Sequence, residues 1–189
     1  VLDSNYSLNT VDICPVGALT SSDFRFKMRV WFLKETKTID INDGLGANIT
    51  VGSRQEKIYR ITPRENNDVN GVWLPDSHRL NFKYVNSDAR LTAPTVKGDR
   101  VSWPQALAIA AQVLKAAAPS TLAMIASARM TNEELFLAKR LALALGITQV
   151  DVVPRRGEPD GIMIVADRNP NTRGAKLLGL ATENDGAGL

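Results

Sequence analysis

The feature that most constrains this chain is an alternation, within residues 102–153, of two capped helical stripes with two short apolar runs. Ser102 stands where an N-cap belongs, and Pro104 falls in the first turn, where its missing N–H costs nothing; a helix is expected over 102–115. Trp103, Leu107, Ala110, Ala111 and Leu114 recur at three- and four-residue spacing and define its expected buried face. Residues 121–126 form a continuous apolar run, the pattern of a strand covered on both faces of a parallel sheet. Thr131 and Glu134 have capping-box spacing, Leu135, Ala138, Leu141, Ala142 and Leu145 make a second stripe, and Gly146 closes that helix. Residues 149–153 read as the next strand, so the segment is expected to fold as a strand–helix–strand unit with a right-handed crossover. Residues 161–166 read as a third apolar strand, 176–180 as a single helical turn, and 183–189 as a Gly-rich end without a core of its own.

The first half has a different texture. Residues 1–20 carry no period and read as loop. Residues 24–33 alternate, with Phe24, Phe26, Met28, Val30 and Phe32 on one side and Arg25, Lys27, Arg29 and Trp31 on the other, the pattern of a half-buried strand. Residues 38–62 read as a small antiparallel unit: strands at 38–41, 49–51 and 57–61, a first turn built on Asp43, Gly44 and Gly46, a second over 52–56, and Pro63 as the stop. Val72, Trp73, Leu74 and Pro75 are expected to cover the open face of that sheet. The fold class is therefore α+β / α/β, a small antiparallel β domain followed by an α/β domain with a mostly parallel sheet.

Charge and composition narrow the function classes. With 23 Lys and Arg against 20 Asp and Glu, the net charge is +3, too small and too dispersed to argue for nucleic acid. Basic residues interleaved with aromatics over 24–32 also occur in single-strand nucleic-acid platforms, but a strand with one solvated face explains them as well. One cysteine excludes an internal disulfide. No apolar run approaches the roughly 20 residues of a membrane span. The single histidine, His78, has only Asp76 as a ligand-type neighbour in sequence; a surface or capping histidine is expected, and no Ser-His-Asp arrangement is supported.

The one cysteine sits in Val11-Asp12-Ile13-Cys14-Pro15-Val16-Gly17-Ala18-Leu19-Thr20. Proline removes a donor and fixes φ, and Gly17 permits a tight turn. A thiolate before such a turn suits an iron–sulfur ligand, whereas a lone cysteine as a small buried hydrophobe is the plainer reading; the residues alone leave both open. This decapeptide closely resembles a segment of the G-subunit (75-kDa subunit) family of respiratory NADH:quinone oxidoreductase, complex I. Residues 127–134, Ser-Ala-Arg-Met-Thr-Asn-Glu-Glu, likewise resemble the pattern after the first strand of the related molybdopterin oxidoreductases.

The resemblance implies a specific organisation. Cys14 would be the distant fourth ligand of a [4Fe-4S] cluster whose other thiolates lie upstream, making this chain a fragment that begins inside the iron–sulfur domain. Residues 1–30 would be the end of that ferredoxin-like domain, 31–92 a small β domain shaped like the family's Fe4S4 domain, and 93–189 a partial α/β domain. On aligning the ligand-bearing segments, the lost cluster positions fall on Asp40, Asp43, Ala47 and Pro75, none of them a thiol, and these four are expected around one small pocket. The implied function is electron transfer from NADH toward quinone, with [4Fe-4S] in the full-length protein and no cofactor in the isolated fragment. The implied partners are other subunits of the peripheral arm, with no nucleic acid and no membrane insertion, on the cytoplasmic side of the bacterial inner membrane. Two alternatives are a cofactor-free docking module and part of a molybdopterin-dependent enzyme of the formate dehydrogenase kind.

Overall fold

In a computed structural model, residues 3–181 are described; the Gly-rich end expected over 183–189 lies outside them. The chain separates into two compact units, one holding the residues up to Arg90 together with Gly157–Pro170, the other Leu91–Arg156 together with the stretch from Asn171 onward.

The first unit is built on a three-stranded antiparallel sheet of β1 (Lys34–Ile39), β2 (Asn48–Arg54) and β3 (Lys57–Pro63), with β2 central. Lys34 pairs with Ser53 and Ile39 with Asn48; Ile49 pairs with Pro63 and Arg54 with Lys57. The second turn is tighter than expected over 52–56. It consists of Gln55 and Glu56, both left-handed at φ 49° and 62°, the twist a two-residue hairpin demands. Gly52 lies inside β2 at a register shift, where a Cβ would approach Leu33 Cδ1 to 3.0 Å. Ala47, Ile49 and Leu74 are buried together, with Leu45, Val51 and Ile61 against them, so the segment expected to cover the sheet does so through Leu74. β1 is exposed along its whole length and carries Lys34, Glu35 and Lys37, charges that blunt an edge.

Several expectations for this unit are corrected, among them the first strand, expected at 38–41 and found at Lys34–Ile39. Residues 1–20 are not all loop: Ser7–Ile13 form helix α1. Its first turn is capped from elsewhere in the chain, because the Asp76 carboxylate accepts from Leu8 N–H at 3.1 Å and from Ser7 Oγ at 2.8 Å. Residues 24–33 are not a strand but turns followed by a 3-10 turn at Val30–Phe32. A strand would put Arg25 and Phe26 on opposite faces. Here Phe26 is left-handed at φ 66° and the Arg25 guanidinium lies 4.6 Å from its ring centroid.

The segment expected as a third apolar strand, 161–166, is also not a strand, and it belongs to the first unit. The Asp160 carboxylate explains both facts. It accepts the successive N–H groups of Ile162, Met163 and Ile164 at 2.9–3.0 Å, which removes them from any ladder, and it accepts the Tyr6 hydroxyl at 2.5 Å. Burial pushes the Asp160 pKa up, but the Tyr6 hydroxyl and these N–H groups outweigh it and hold it at about 2. Burial, then the bond to Asp160, pushes the Tyr6 hydroxyl above its ordinary value. Because the folded pKa lies below the unfolded one, the stabilisation is complete above about pH 4 and is lost as pH falls through 2. Carboxyl-carbon NMR should place the Asp160 midpoint near 2, and Tyr6→Phe should move it upward; an unmoved midpoint would remove Tyr6 from this account.

The second unit contains a small antiparallel pair, β4 (Thr95–Val96) and β5 (Asp99–Arg100), then α3 (Trp103–Ala116), β6 (Ala123–Ala126), α4 (Asn132–Ala144), β7 (Gln149–Val152) and α5 (Thr172–Leu177). β6 and β7 pair in parallel, Ala123 against Gln149 and Ala126 against Val152, with α4 as the connection. Both long helices carry full capping boxes, Ser102 with Gln105 and Thr131 with Glu134. Ala126, Ala128, Leu135, Val152, Ala175 and Leu180 form the core.

Here too there are differences. The apolar stripe of α3 exists but no residue of the helix is buried, and Trp103 is 65% exposed. The β6 strand is covered on one face only, leaving Ile125 exposed. The C-terminal helical element is a longer helix than one turn and starts earlier, because Asn171 caps it through Gly174 N–H. Among the described residues no helix is long and apolar enough to cross a membrane.

Candidate functional site

Two places in the first unit gather the residue types that carry chemistry. The first is the cysteine turn. Cys14 is the residue that ends α1, half-buried, with its N–H on Val11 O at 3.3 Å. Gly17 is left-handed at φ 64°, and its N–H returns to Cys14 O at 3.4 Å. The Leu19 N–H is the strongest influence on the thiol, opposed by burial and joined by the N–H groups of Val16, Ala18 and Gly17; together they hold its pKa below the usual thiol value. The turn favours the thiolate form of Cys14.

The turn is anchored to the rest of its unit. Asn9, buried, acts like a backbone strand partner for Leu74: its Nδ2 donates to Leu74 O at 3.0 Å and its Oδ1 accepts from Leu74 N at 3.0 Å. Arg79, also buried, clamps Asp12 at 2.7 Å and donates to Asn9 Oδ1 at 3.1 Å. Asp76 caps the helix as described, and Asn5 receives the Asp76 and Ser77 N–H groups. Asn9, Asp76 and Arg79 thus fix Cys14 in place. Sequence reasoning missed these three, because each acts over more than sixty positions and no local spacing betrays it.

The second place is a buried polar cluster on the β1–β2 connection. Asp40 and Asp43 are 2% and 1% exposed, and one ligand atom from each of Asp40, Asp43 and His78 lies within 4.8 Å of the others. His78 is therefore not a surface or capping residue: helix α2 (Asp76–Leu80) carries it inward, and its Nδ1 lies 2.6 Å from Asp40 Oδ2. Asp40 Oδ1 accepts Asn42 Nδ2 at 2.5 Å, and Asp43 accepts Leu45 N–H and Val165 N–H, both at 3.1 Å. The four aligned positions are all buried, and they are linked: Asp40 N–H donates to Ala47 O at 2.7 Å, and His78 N–H to Pro75 O at 3.1 Å. They do not frame one empty pocket, however. The imidazole stands against the carboxylates, and the neighbouring 240 Å³ cavity is lined by Asp40 and His78 but not by Ala47 or Pro75.

An iron–sulfur cluster does not fit here. Iron–sulfur clusters are held by soft thiolates, and this site offers two carboxylates, an imidazole, an alanine and a proline. Oxygen and nitrogen donors suit a hard or borderline cation, yet each carboxylate is already hydrogen-bonded within the fold. The cluster's evident work is to tie the β1–β2 connection to α2 and to the 157–170 segment.

Comparison with known proteins bears on both places. Residues 33–83 match the family model of the NADH-ubiquinone oxidoreductase NDSU1/NuoG-like 4Fe-4S domain, and residues 90–160 that of the molybdopterin oxidoreductases. The G subunit of the NADH-quinone oxidoreductase of Rickettsia felis is 38% identical over 154 residues, 80% of this chain and 23% of the relative. Over four fifths of its length the chain is similar to this G subunit. The mitochondrial NADH dehydrogenase iron-sulfur protein 1 of Solanum tuberosum is 37% identical over 79% of the chain, and the 78 kDa subunit of Neurospora crassa is 41% identical over 77%. The chain spans only 20–23% of the length of these relatives. The only cysteine lies outside the stretch matching the 4Fe-4S model, so that stretch keeps the family's scaffold without a thiol.

Proposed function

We propose that this chain is part of the iron–sulfur electron-transfer G subunit of an NADH:quinone oxidoreductase, in which Cys14 supplies one thiolate to a [4Fe-4S] cluster and the rest serves as scaffold. The observation that carries the reading is the placement of Cys14 at the end of a helix anchored by Asn9, Asp76 and Arg79 and just before the left-handed Gly17 turn, in a chain 38% identical to a G subunit over 80% of its length. The cluster, when bound, carries the single electrons. The chain's own residues do the rest: Arg79 and Asn9 hold α1, Gly17 turns the backbone, and Val16 to Leu19 present their N–H groups. In this reading residues 1–30 complete the ferredoxin-like domain, 31–92 are a cluster-free Fe4S4-type domain, and 93–189 are part of the molybdopterin-type α/β domain. The partners are other subunits of the peripheral arm, attached on the cytoplasmic side of a bacterial inner membrane.

The test is Cys14→Ala in the full-length protein within the assembled oxidoreductase. One [4Fe-4S] EPR signal should be lost or altered and NADH-to-quinone electron flow should fall, while α1 remains folded, since alanine nearly preserves the volume. In this chain alone, thiol titration should find one reactive group that ionises below the ordinary thiol range. Intact EPR signals in Cys14→Ala would return Cys14 to the role of a packing residue.

A further inference from the structure

The stretch from Phe24 to Lys34 presents a surface that the electron-transfer reading does not use. It contains Arg25, Lys27, Arg29 and Lys34 and no acidic residue. Phe26 is 91% and Trp31 74% exposed, and Phe32 is half exposed. Guanidinium groups lie over these rings: Arg25 over Phe26 at 4.6 Å, Arg29 over Trp31 at 5.8 Å, Arg54 over Phe32 at 4.7 Å and Arg60 over Phe24 at 5.3 Å. The nearby carboxylates pair with other cations of the surface, Asp23 with Lys27 and Lys83, and Glu35 with Arg60. Among the described residues no carboxylate lies within salt-bridge distance of Arg25, Arg29 or Arg54.

Beside this ridge, and sharing Phe24, Val30 and Arg60 with it, lies a 420 Å³ cavity whose walls also include Leu8, Ile61 and Phe82. Unneutralised arginines stacked on exposed aromatics, next to an apolar recess, combine the two elements of a binding hot spot: a desolvated pocket for an anchor and a charged rim that selects the partner. We infer that this ridge and cavity form a docking surface for a protein segment that carries carboxylates around a single apolar anchor side chain. The carboxylates meet Arg25, Arg29 and Arg54, and the anchor fills the cavity.

Charge and geometry decide against the other occupants. A second copy docking by two-fold symmetry would set this cationic ridge against itself. A single-stranded nucleic acid needs open aromatic faces, and here each ring already has a guanidinium over one face; it also needs a basic track for the backbone, which the apolar cavity interrupts. The cavity borders the Cys14 turn through Gly17 and Leu19, but peptide binding is read on this chain without any cluster, so its failure and that of the Cys14 reading are distinguishable.

The experiment is a selection of random peptides displayed against the complete chain, followed by fluorescence anisotropy of the best synthetic peptide. The enriched sequences should place several Asp or Glu around one Leu, Ile, Phe or Trp. Arg25→Glu/Arg29→Glu should weaken the peptide by about tenfold or more, and Arg54→Glu should weaken it in the same direction. Lys97→Glu, on an exposed turn of the second unit, should leave it unchanged. All of these residues are exposed or partly so, and circular dichroism confirms that each variant is folded. A labelled oligo-dT 20-mer and sedimentation velocity run alongside. The inference is overturned by enriched peptides without acidic residues, by affinity indifferent to the Arg25→Glu/Arg29→Glu change, by dT binding that outcompetes the peptide, or by dimers that this change dissolves.

Discussion

Asp40→Ala should destabilise the first unit by about 3 kcal/mol or more, among the largest losses available from a single side chain in this molecule. Asp40 is buried and takes His78 Nδ1 on one oxygen and the Asn42 amide on the other. Alanine leaves a buried imidazole facing a neighbouring carboxylate, Asp43, with no partner of its own at Nδ1. The penalty is chiefly that of the stranded group, not the worth of the bond, since an unmade buried contact costs more than a made one contributes. The double variant Asp40→Leu/His78→Leu, which removes both polar groups, should therefore be less destabilised than Asp40→Ala. Urea unfolding followed by amide exchange at β2 would measure both. A loss below about 1 kcal/mol for Asp40→Ala would mean that water reaches the imidazole through the adjoining cavity.

That pair also marks where the sequence stops being legible. The helix starts at Ser102 and Thr131 were readable because both halves of each capping box lie three residues apart. The second and third strands of the first sheet were readable because alternation and turn residues are local, although Gln55 and Glu56, left-handed without a glycine, hid the tightness of the second turn; the first strand, expected at 38–41, lies at Lys34–Ile39, because Asp40 is drawn inward to His78. His78 was misjudged because its partner lies 38 positions away, and nearest neighbours in sequence say nothing of that. Residues 24–33 alternate as a strand does, but a strand needs an edge to pair with, and the Arg–aromatic stacks hold the segment in turns instead. Residues 161–166 are apolar enough for a strand, yet Asp160, one residue ahead, takes their N–H groups. In each case contacts outside the local pattern overrode it.

The same reasoning ranks the second unit's weak point. Leu135 is fully buried, and its surroundings are Ala126, Ala128, Val152, Ala175 and Leu180, half of that core being alanine. The three alanines cannot swing into a void, whereas Leu180 and, at the edge of the cluster, Met130 and Leu178 fill it only in part, so some of the cavity left by Leu135→Ala should persist. The expected loss is about 3 kcal/mol, within the roughly 2–5 kcal/mol typical of such truncations. Helix propensity does not contribute, since alanine is the better helix former. Leu143→Ala on the same helix is the control: Leu143 is 68% exposed and should change stability by no more than about 0.5 kcal/mol. Amide exchange at Met124 and Ile125 in β6 reports the unit directly, with faster exchange expected in Leu135→Ala and none in Leu143→Ala. Equal effects from the two substitutions would mean that α4 is held by its caps and its own backbone, and that the cluster around Leu135 is not what closes this unit.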